Sequence, residues 1–378
     1  MNKILFTHAH LIVDGNKEYE DGALLVNDST IEDVFVHSNH IKKDIDDYEV
    51  IDLKGKIVMP GFFDTHIHGC FGKEFNNISK EDLNELSFKL LSKGTTSFLV
   101  SLTNNENLLD ELELLENFNT GGSRYLGIHL EGPYLNKEYK GAINEKYLKT
   151  PELKELKKVL STSSKILQMT LAPEVDGVNE VIPEIRNKGI KVMLGHSGAL
   201  KEDVKEEYDG FTHLFNASKG LHHRDISLVN MAFDDTCKYV EIVGDGIHLN
   251  KETLKLVHKN IRRDRLMLVS DAIAFAGKED GDFLFEGKMC HKKGRECKNE
   301  DNKICGGASF IIDEIKNMYE VGASLNDLLL MSSLNAYRFY GLDKRFGSLV
   351  KGKYADIVVL DDDLNLVFTY GRGKIINA

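Results

Sequence analysis

The chain reads as an α/β protein, a (β/α)8 TIM-type barrel with a small β-sandwich domain formed from the N- and C-terminal segments. Three observations predict this. Eight apolar, strand-like runs recur through the middle of the chain, most of them followed by a helical pattern. Both ends carry short β segments separated by turns instead. Metal-ligand or acid/base side chains stand just after several of the eight runs, which is where a barrel collects its reactive groups.

The eight runs are 61–64, 96–100, 126–130, 166–171, 191–194, 211–214, 239–243 and 266–269. Between them, 82–93 puts Leu83, Leu86, Leu90 and Leu91 on one helical face, with Ser79 as N-cap. The stretch 151–161 does the same with Leu153, Leu156, Val159 and Leu160, and Pro151 suits a first turn. A third helix is expected over 251–261. Eight strand–helix units in series favour a closed barrel. A doubly wound open sheet would gather ligands at one switch point rather than at five strand ends. At the N-terminal end, 3–7, 23–26, 31–37 and 50–52 read as strands and Asp14-Gly15 as a turn; near the other end, 356–360 and 366–370 read as strands. The expected division is 1–56 plus 345–378 for the small β domain and 57–344 for the barrel. Residues 278–303, rich in charge, read as a solvated surface insertion.

The 378 residues are 42% hydrophobic and 29% charged, enough apolar material for a large core. A formal charge of −12 argues against nucleic acid and anionic membranes as partners. No run of about eighteen apolar residues predicts a membrane span. Polar Thr7-His8 follows Met1–Phe6 directly, without a signal-peptide apolar region, so a cytoplasmic location is expected. Five cysteines, Cys70, Cys237, Cys290, Cys297 and Cys305, are too few and too scattered for a disulfide framework. Cys290, His291 and Cys297 lack C-x-x-C spacing, so these cysteines read as free thiols.

The chemistry concentrates in Asp64-Thr65-His66-Ile67-His68, Gly195-His196-Ser197 and Ser270-Asp271-Ala272, together with Glu131 and His213. Alternation along an extended segment points His66 and His68 to one side. A single histidine is more often a hydrogen-bonded structural imidazole than a ligand. Five ligand-type residues plus Asp271 at matching places in separate units argue for one metal site. Imidazole and carboxylate donors suit Zn2+, and also Fe2+, Mn2+ or Co2+. Glu131, His196 and His213 would leave a coordination position for water, and Asp271 is then the natural general base.

These residues resemble the amidohydrolase superfamily and, within it, the N-acetylglucosamine-6-phosphate deacetylases. The resemblance runs from Val58-Met59-Pro60-Gly61-Phe62-Phe63-Asp64 to Gly352-Lys353-Tyr354-Ala355-Asp356-Ile357-Val358. Its more specific marks are His129-Leu130-Glu131-Gly132-Pro133-Tyr134, Thr212-His213-Leu214-Phe215-Asn216-Ala217 and Asp245-Gly246-Ile247-His248. The resemblance implies hydrolysis of the acetamide of an amino-sugar phosphate, with Glu131, His196 and His213 holding the main metal and Asp271 as catalytic acid/base. His66 and His68 allow a second ion, so one or two per subunit. His248 would steady the substrate, Asn216 and Ala217 would meet the sugar phosphate, and Arg224 would grip the phosphate across a homodimer interface. Three places depart from the family's pattern. Ala142-Ile143 stands where Ala-His is usual, Asp225-Ile226-Ser227 follows Arg224 in place of Pro-Gly, and Ile304-Cys305-Gly306 replaces Leu-Ala-Gly. Isoleucine cannot hydrogen-bond a hydroxyl or phosphate. All three changes fall on the expected substrate side. The alternatives are therefore another N-acetylated substrate, such as N-acetylgalactosamine 6-phosphate, or a non-catalytic sugar-phosphate binder.

Overall fold

The computed structural model describes residues 3–41, 45–234, 238–285, 288–300 and 302–378. Cys237, and Asp301 of the charged run, lie outside the described residues. Eight parallel strands pair in chain order: β1 (Phe62–Asp64), β2 (Thr95–Thr103), β3 (Arg124–Glu131), β4 (Ile166–Leu171), β5 (Lys191–Leu194), β6 (Gly210–Phe211), β7 (Tyr239–Ile242) and β8 (Leu266–Leu268).

The ring closes just beyond the ends of β1 and β8. Ile67 bridges Ala272 in parallel. The Asp271 N–H donates to the His66 carbonyl at 2.9 Å, and the His68 N–H to that of Ala272 at 2.8 Å. On the other side, the Ser101 N–H of β2 donates to the Ile67 carbonyl at 3.0 Å. Asp64 clamps the seam from below, accepting the Ser270 hydroxyl at 2.5 Å and the Ser270 N–H at 3.2 Å. Burial pushes the Asp64 carboxyl up to about 6, against the pull of the Ser270 hydrogen bonds.

Helices wrap the ring as the apolar spacing requires. In α1 (Lys80–Leu91), Leu83, Leu86, Leu90 and Leu91 are all buried, each contributing about 1.5–3 kcal/mol. Ser79 Oγ accepts the Asp82 N–H at 3.0 Å and caps the helix. Next come α2 (Leu108–Glu116), α3 (Leu153–Thr162) and α4 (Val178–Asn187). Pro151 lies outside α3 rather than in its first turn. The Leu156 N–H bonds the Glu152 carbonyl at 2.9 Å, which makes Glu152 the cap. Between β5 and β6 the described chain makes only a 3-10 turn, Lys201–Asp203, where a helix would complete the repeat. The series ends with α5 (Leu228–Ala232), α6 (Lys251–Asn260, capped by Asn250) and α7 (Ile311–Glu320). β6 is shorter than its apolar run, because His213 turns the chain with φ 26°.

The terminal segments share one eight-stranded sheet, in which Lys3–Ile12 pairs with Glu18–Asn27, Glu49–Asp52 and Ile57–Pro60. Asp14 Oδ1 accepts the N–H groups of Asn16 and Lys17, both at 3.1 Å, and forms the expected turn. The boundary expected at 57 shifts, since Ile57–Pro60 pairs antiparallel with Ile357–Leu360 in this sheet. A last strand, Lys374–Asn377, pairs with Leu366–Gly371 and was not expected. The sheet curls onto itself, stacking Phe6 on Phe368 at 6.1 Å and edge-on to Tyr370 at 5.9 Å. It is tied to the barrel by a two-pronged contact of Arg124, at the start of β3, with Asp356, at 2.9 and 3.3 Å. The charged insertion forms a three-stranded antiparallel sheet of Gly281–Phe285, Lys288–Lys293 and Glu296–Asn299.

Glu314, at the start of α7, is fully buried and accepts the Gly244 N–H at 3.1 Å. Burial, reinforced by the Asp245 carboxylate, holds it well above its ordinary 4.5. The folded chain therefore favours the protonated form. The stability this lends is complete below about pH 4.5 and is lost as the pH rises through the folded value. Glu314→Gln keeps an acceptor for Gly244 and cannot ionise. Thermal melts are expected to show the variant gaining on the parent from pH 6 to pH 9 and matching it near pH 4.5. A constant offset at all pH values would contradict this account.

Candidate metal centre

The end of each barrel strand sets where its reactive side chain points. His66 and His68 follow β1 in the closing seam, and Glu131 is the last residue of β3. His196, His213 and Asp271 lie shortly after β5, β6 and β8, and each takes a left-handed backbone, with φ of 49°, 26° and 47°. Such backbone costs about 1–3 kcal/mol per non-glycine residue and persists only where its surroundings impose it. Here it turns the chain sharply at the barrel mouth.

The six side chains converge. Glu131 Oε1 lies 3.0 Å from His196 Nε2, 3.2 Å from His213 Nε2 and 3.2 Å from His66 Nε2. Glu131 Oε2 lies 3.2 Å from His68 Nε2. Asp271 Oδ1 stands 3.5 Å from His66 Nε2 and 3.6 Å from His68 Nε2. Two triplets result, His66–His68–Glu131 and Glu131–His196–His213, with Glu131 common to both. Burial pushes the Glu131 carboxyl up, but the imidazoles of His196 and His66 outweigh it and hold the group well below the usual carboxylate range. Burial lowers His66, yet Glu131, Glu241 and Asp271 together hold it well above its usual value.

The donor chemistry fits a divalent cation. His196 Nδ1 donates to the Tyr139 carbonyl at 2.9 Å, which leaves the Nε2 lone pair facing Glu131. A lone pair and a carboxylate oxygen at that distance need a proton or a metal between them. The Nε2 atoms of His196 and His213 are 3.0 Å apart, and those of His66 and His68 are 3.1 Å apart, a spacing that suits shared coordination.

A supporting layer lies beneath. Glu241, inward-facing on β7, meets His66 Nδ1 at 3.3 Å and accepts Gln168 Nε2–H at 2.9 Å, and Gln168 in turn accepts the Tyr340 hydroxyl at 2.5 Å. His129 is held between Ser101 at 3.0 Å and Thr170 at 2.8 Å, and burial keeps its imidazole well below the usual range, hence neutral. Glu241 and Gln168 escaped sequence reasoning, although Glu241 is the one acidic residue in an apolar strand and that is a readable signal.

A cavity opens above the donors. Among its walls are the anticipated Ala142, Ile143, Asn216, His248, Ile304, Cys305 and Gly306. Thr103, Ile273 and Phe285 join them unanticipated, so the insertion supplies cavity wall as well as surface. Ala217 and Arg224 do not line it. Ala217 faces an adjoining groove with Lys140, Ser218 and Lys303 that shares Gly141 with the cavity, and Arg224 is exposed. His248 Nδ1–H donates to Asp245 Oδ2 at 2.8 Å, and Asp245 also accepts the Ile247 and His248 N–H groups. Burial lowers the His248 imidazole, but Asp245 outweighs it and holds it above the usual value. His248 Nε2 is buried without a protein partner, 3.9 Å from Asp271 Oδ2.

Glu241→Gln removes the negative partner of the His66 imidazole and preserves shape. It is expected to weaken divalent-metal affinity by about 10–100-fold in equilibrium dialysis with atomic emission readout. Unchanged affinity would show that the layer below only packs.

The amidohydrolase family model matches residues 57–376. An N-acetylglucosamine-6-phosphate deacetylase of Mus musculus is 33% identical over 348 residues, covering 86% of this chain and 84% of its own. The enzyme of that name from Haemophilus influenzae is 32% identical and covers 94% of each chain. Among solved structures, N-acetylglucosamine-6-phosphate deacetylase from Pasteurella multocida superposes with a TM-score of 0.91 at 28% identity over 100% of both chains. With a barrel that gathers imidazoles and carboxylates at one mouth, and a family match spanning most of its length, the chain belongs to the amidohydrolase family.

Proposed function

We propose that the protein is a metal-dependent deacetylase that hydrolyses the acetamide of N-acetyl-D-glucosamine 6-phosphate to D-glucosamine 6-phosphate and acetate, in amino-sugar catabolism. The observation that carries this is the placing of Asp271 and the partnerless His248 Nε2 over a shared donor set in one cavity. The relatives' names support the substrate.

Glu131, His196 and His213 would hold the main divalent ion, zinc or else iron, manganese or cobalt, and His66 and His68 with Glu131 would accommodate a second. Such an ion, when bound, lowers the pKa of water and polarises a carbonyl. Asp271 takes the proton of the attacking water. His248 donates Nε2–H to the acetyl oxygen, with Asp245 holding the ring in register. As the C–N bond breaks, Asp271 returns the proton to the leaving nitrogen, so water and amide become acetate and amine. The sugar lies against Ile143 and Asn216, and the groove with Lys140, Ala217, Ser218 and Lys303 receives the phosphate. Arg224 sits at a dimer contact, a placement supported by exposed Leu221 and Ile226 on either side of it. No helix among the described residues is long and apolar enough to cross a membrane, in keeping with a cytoplasmic enzyme.

The second reading is the same chemistry on N-acetylgalactosamine 6-phosphate, motivated by Ile143, which stands in the cavity wall where a histidine is usual. A relative of that name from Escherichia coli O157:H7 is 27% identical. Acetate release measured side by side on the two sugars decides between them. Asp271→Asn is expected to lower kcat by about 10^2–10^4-fold with a small change in KM. Chelation should abolish turnover and Zn2+ should restore it. Stoichiometric binding of both sugars without turnover by metal-replete protein would instead establish a binder.

A further inference from the structure

The insertion after β8, together with Cys305 just beyond it, carries a second donor cluster distinct from the barrel donors. Cys290 stands opposite Asn299 and Lys292 opposite Cys297 in the antiparallel register. Side chains alternate along a strand, so Cys290 and Cys297 are diagonal neighbours on one face. A third extended segment joins them. Lys298 bridges Ile304 antiparallel, and the Cys305 N–H donates to the Cys297 carbonyl at 3.0 Å. Cys305 therefore faces Cys297 from the other side. One thiol comes from each of three neighbouring segments, and the three sulfurs lie within 4.8 Å of one another.

The triangle is closed off from water. Cys290 and Cys297 are 1% exposed and Cys305 is 7% exposed. The triangle packs on Ile273, Phe275 and Ala308 of the barrel side. Lys292, opposite Cys297 in the register and buried, brings a positive charge to the same face, where its ammonium also meets Asp280 at 3.4 Å. Plain apolar packing is the blander account, since cysteine behaves as a small hydrophobe. It does not call for three sulfurs at mutual ligand distance beside a buried lysine. A disulfide would use two of the three, and the diagonal pair, with Cα atoms about 7–8 Å apart, exceeds the usual span of about 4.4–6.8 Å.

We propose that Cys290, Cys297 and Cys305 form a thiolate site for one thiophilic divalent cation of the zinc class, independent of the barrel centre. Three thiol protons pass to solvent as three metal–sulfur bonds form, with no change in oxidation state. Solvent or a small anion completes the tetrahedron. The ion pins the short sheet to the barrel mouth. Because Cys305 also lines the catalytic cavity with Ile304 and Gly306, occupancy fixes that stretch of wall.

The test titrates reduced, chelator-stripped full-length protein with Co2+ and separately with Cd2+. The barrel donor groups offer only nitrogen and oxygen, so sulfur-to-metal charge-transfer absorption separates a thiolate site from the barrel centre. The expected result is a band that saturates at one ion per chain, is lost in Cys297→Ser and in Cys290→Ser, and persists in Cys70→Ala. Should the serine variants fail to fold, Zn2+ protection of three wild-type thiols from alkylation reads the same site without a substitution. Absence of the band, its persistence in both serine variants, or recovery of a disulfide within the trio from metal-replete protein would overturn the proposal.

Discussion

The barrel exists as a closed body only because its first and last strands pair. A parallel sheet of eight strands is a ribbon until its edges meet, and here they meet through the seam made by 66–69 with 271–272. The same short stretch that closes the ring carries His66, His68 and Asp271. The Asp64 carboxyl fixes the register by accepting both the hydroxyl and the amide of Ser270. A slip of one residue would exchange inward and outward side chains and carry the histidines away from Glu131. Closure and assembly of the donor set are one event.

Electrostatics explains why the site is built around Glu131. A lone carboxylate at 4% exposure carries a large desolvation cost, and four imidazole nitrogens within 3.2 Å offset it. Those nitrogens are in turn oriented from behind, by Tyr139 for His196 and by Glu241 for His66. The barrel interior is therefore layered, with a polar support of Glu241, Gln168 and Tyr340 below the donors. It costs packing energy, and what it contributes is geometry: each ring presents Nε2 to the centre.

Much of this was legible in the sequence, and the failures have physical causes. Strands with long apolar runs, such as 166–171 and 191–194, were found at their observed bounds, because burial on both faces leaves a continuous signal. The run 211–214 reads as strand, whereas the extended segment ends at Phe211 and His213 leaves the extended region to aim its ring. Donor residues were legible because their type is restricted. Glu241 and Gln168 were missed because a supporting residue need only be polar and inward, and many residues satisfy that. The strand Lys374–Asn377 was missed because an exposed edge strand has little apolar pattern to show. The resemblance pairs Asn216 and Ala217 at the sugar phosphate, and the structure separates their surroundings: Asn216 lines the cavity, while Ala217, with a positive φ of 43°, lies in the adjoining groove.

Reaction and recognition rest on different materials in this fold. Every donor and Asp271 project from strand ends held by the ring. Apart from Thr103, the last residue of β2, the walls that meet a substrate come from connections: 141–143 after β3, 216 after β6, 248 after β7, and 273, 285 and 304–306 around the insertion. Loops change at low cost to the core, whereas a seam residue changes only with the closure of the barrel. The departures at Ile143, at 225–227 and at 304–306 all fall on the loop side of that division. Substrate preference in such a chain can drift while the hydrolytic centre stays fixed.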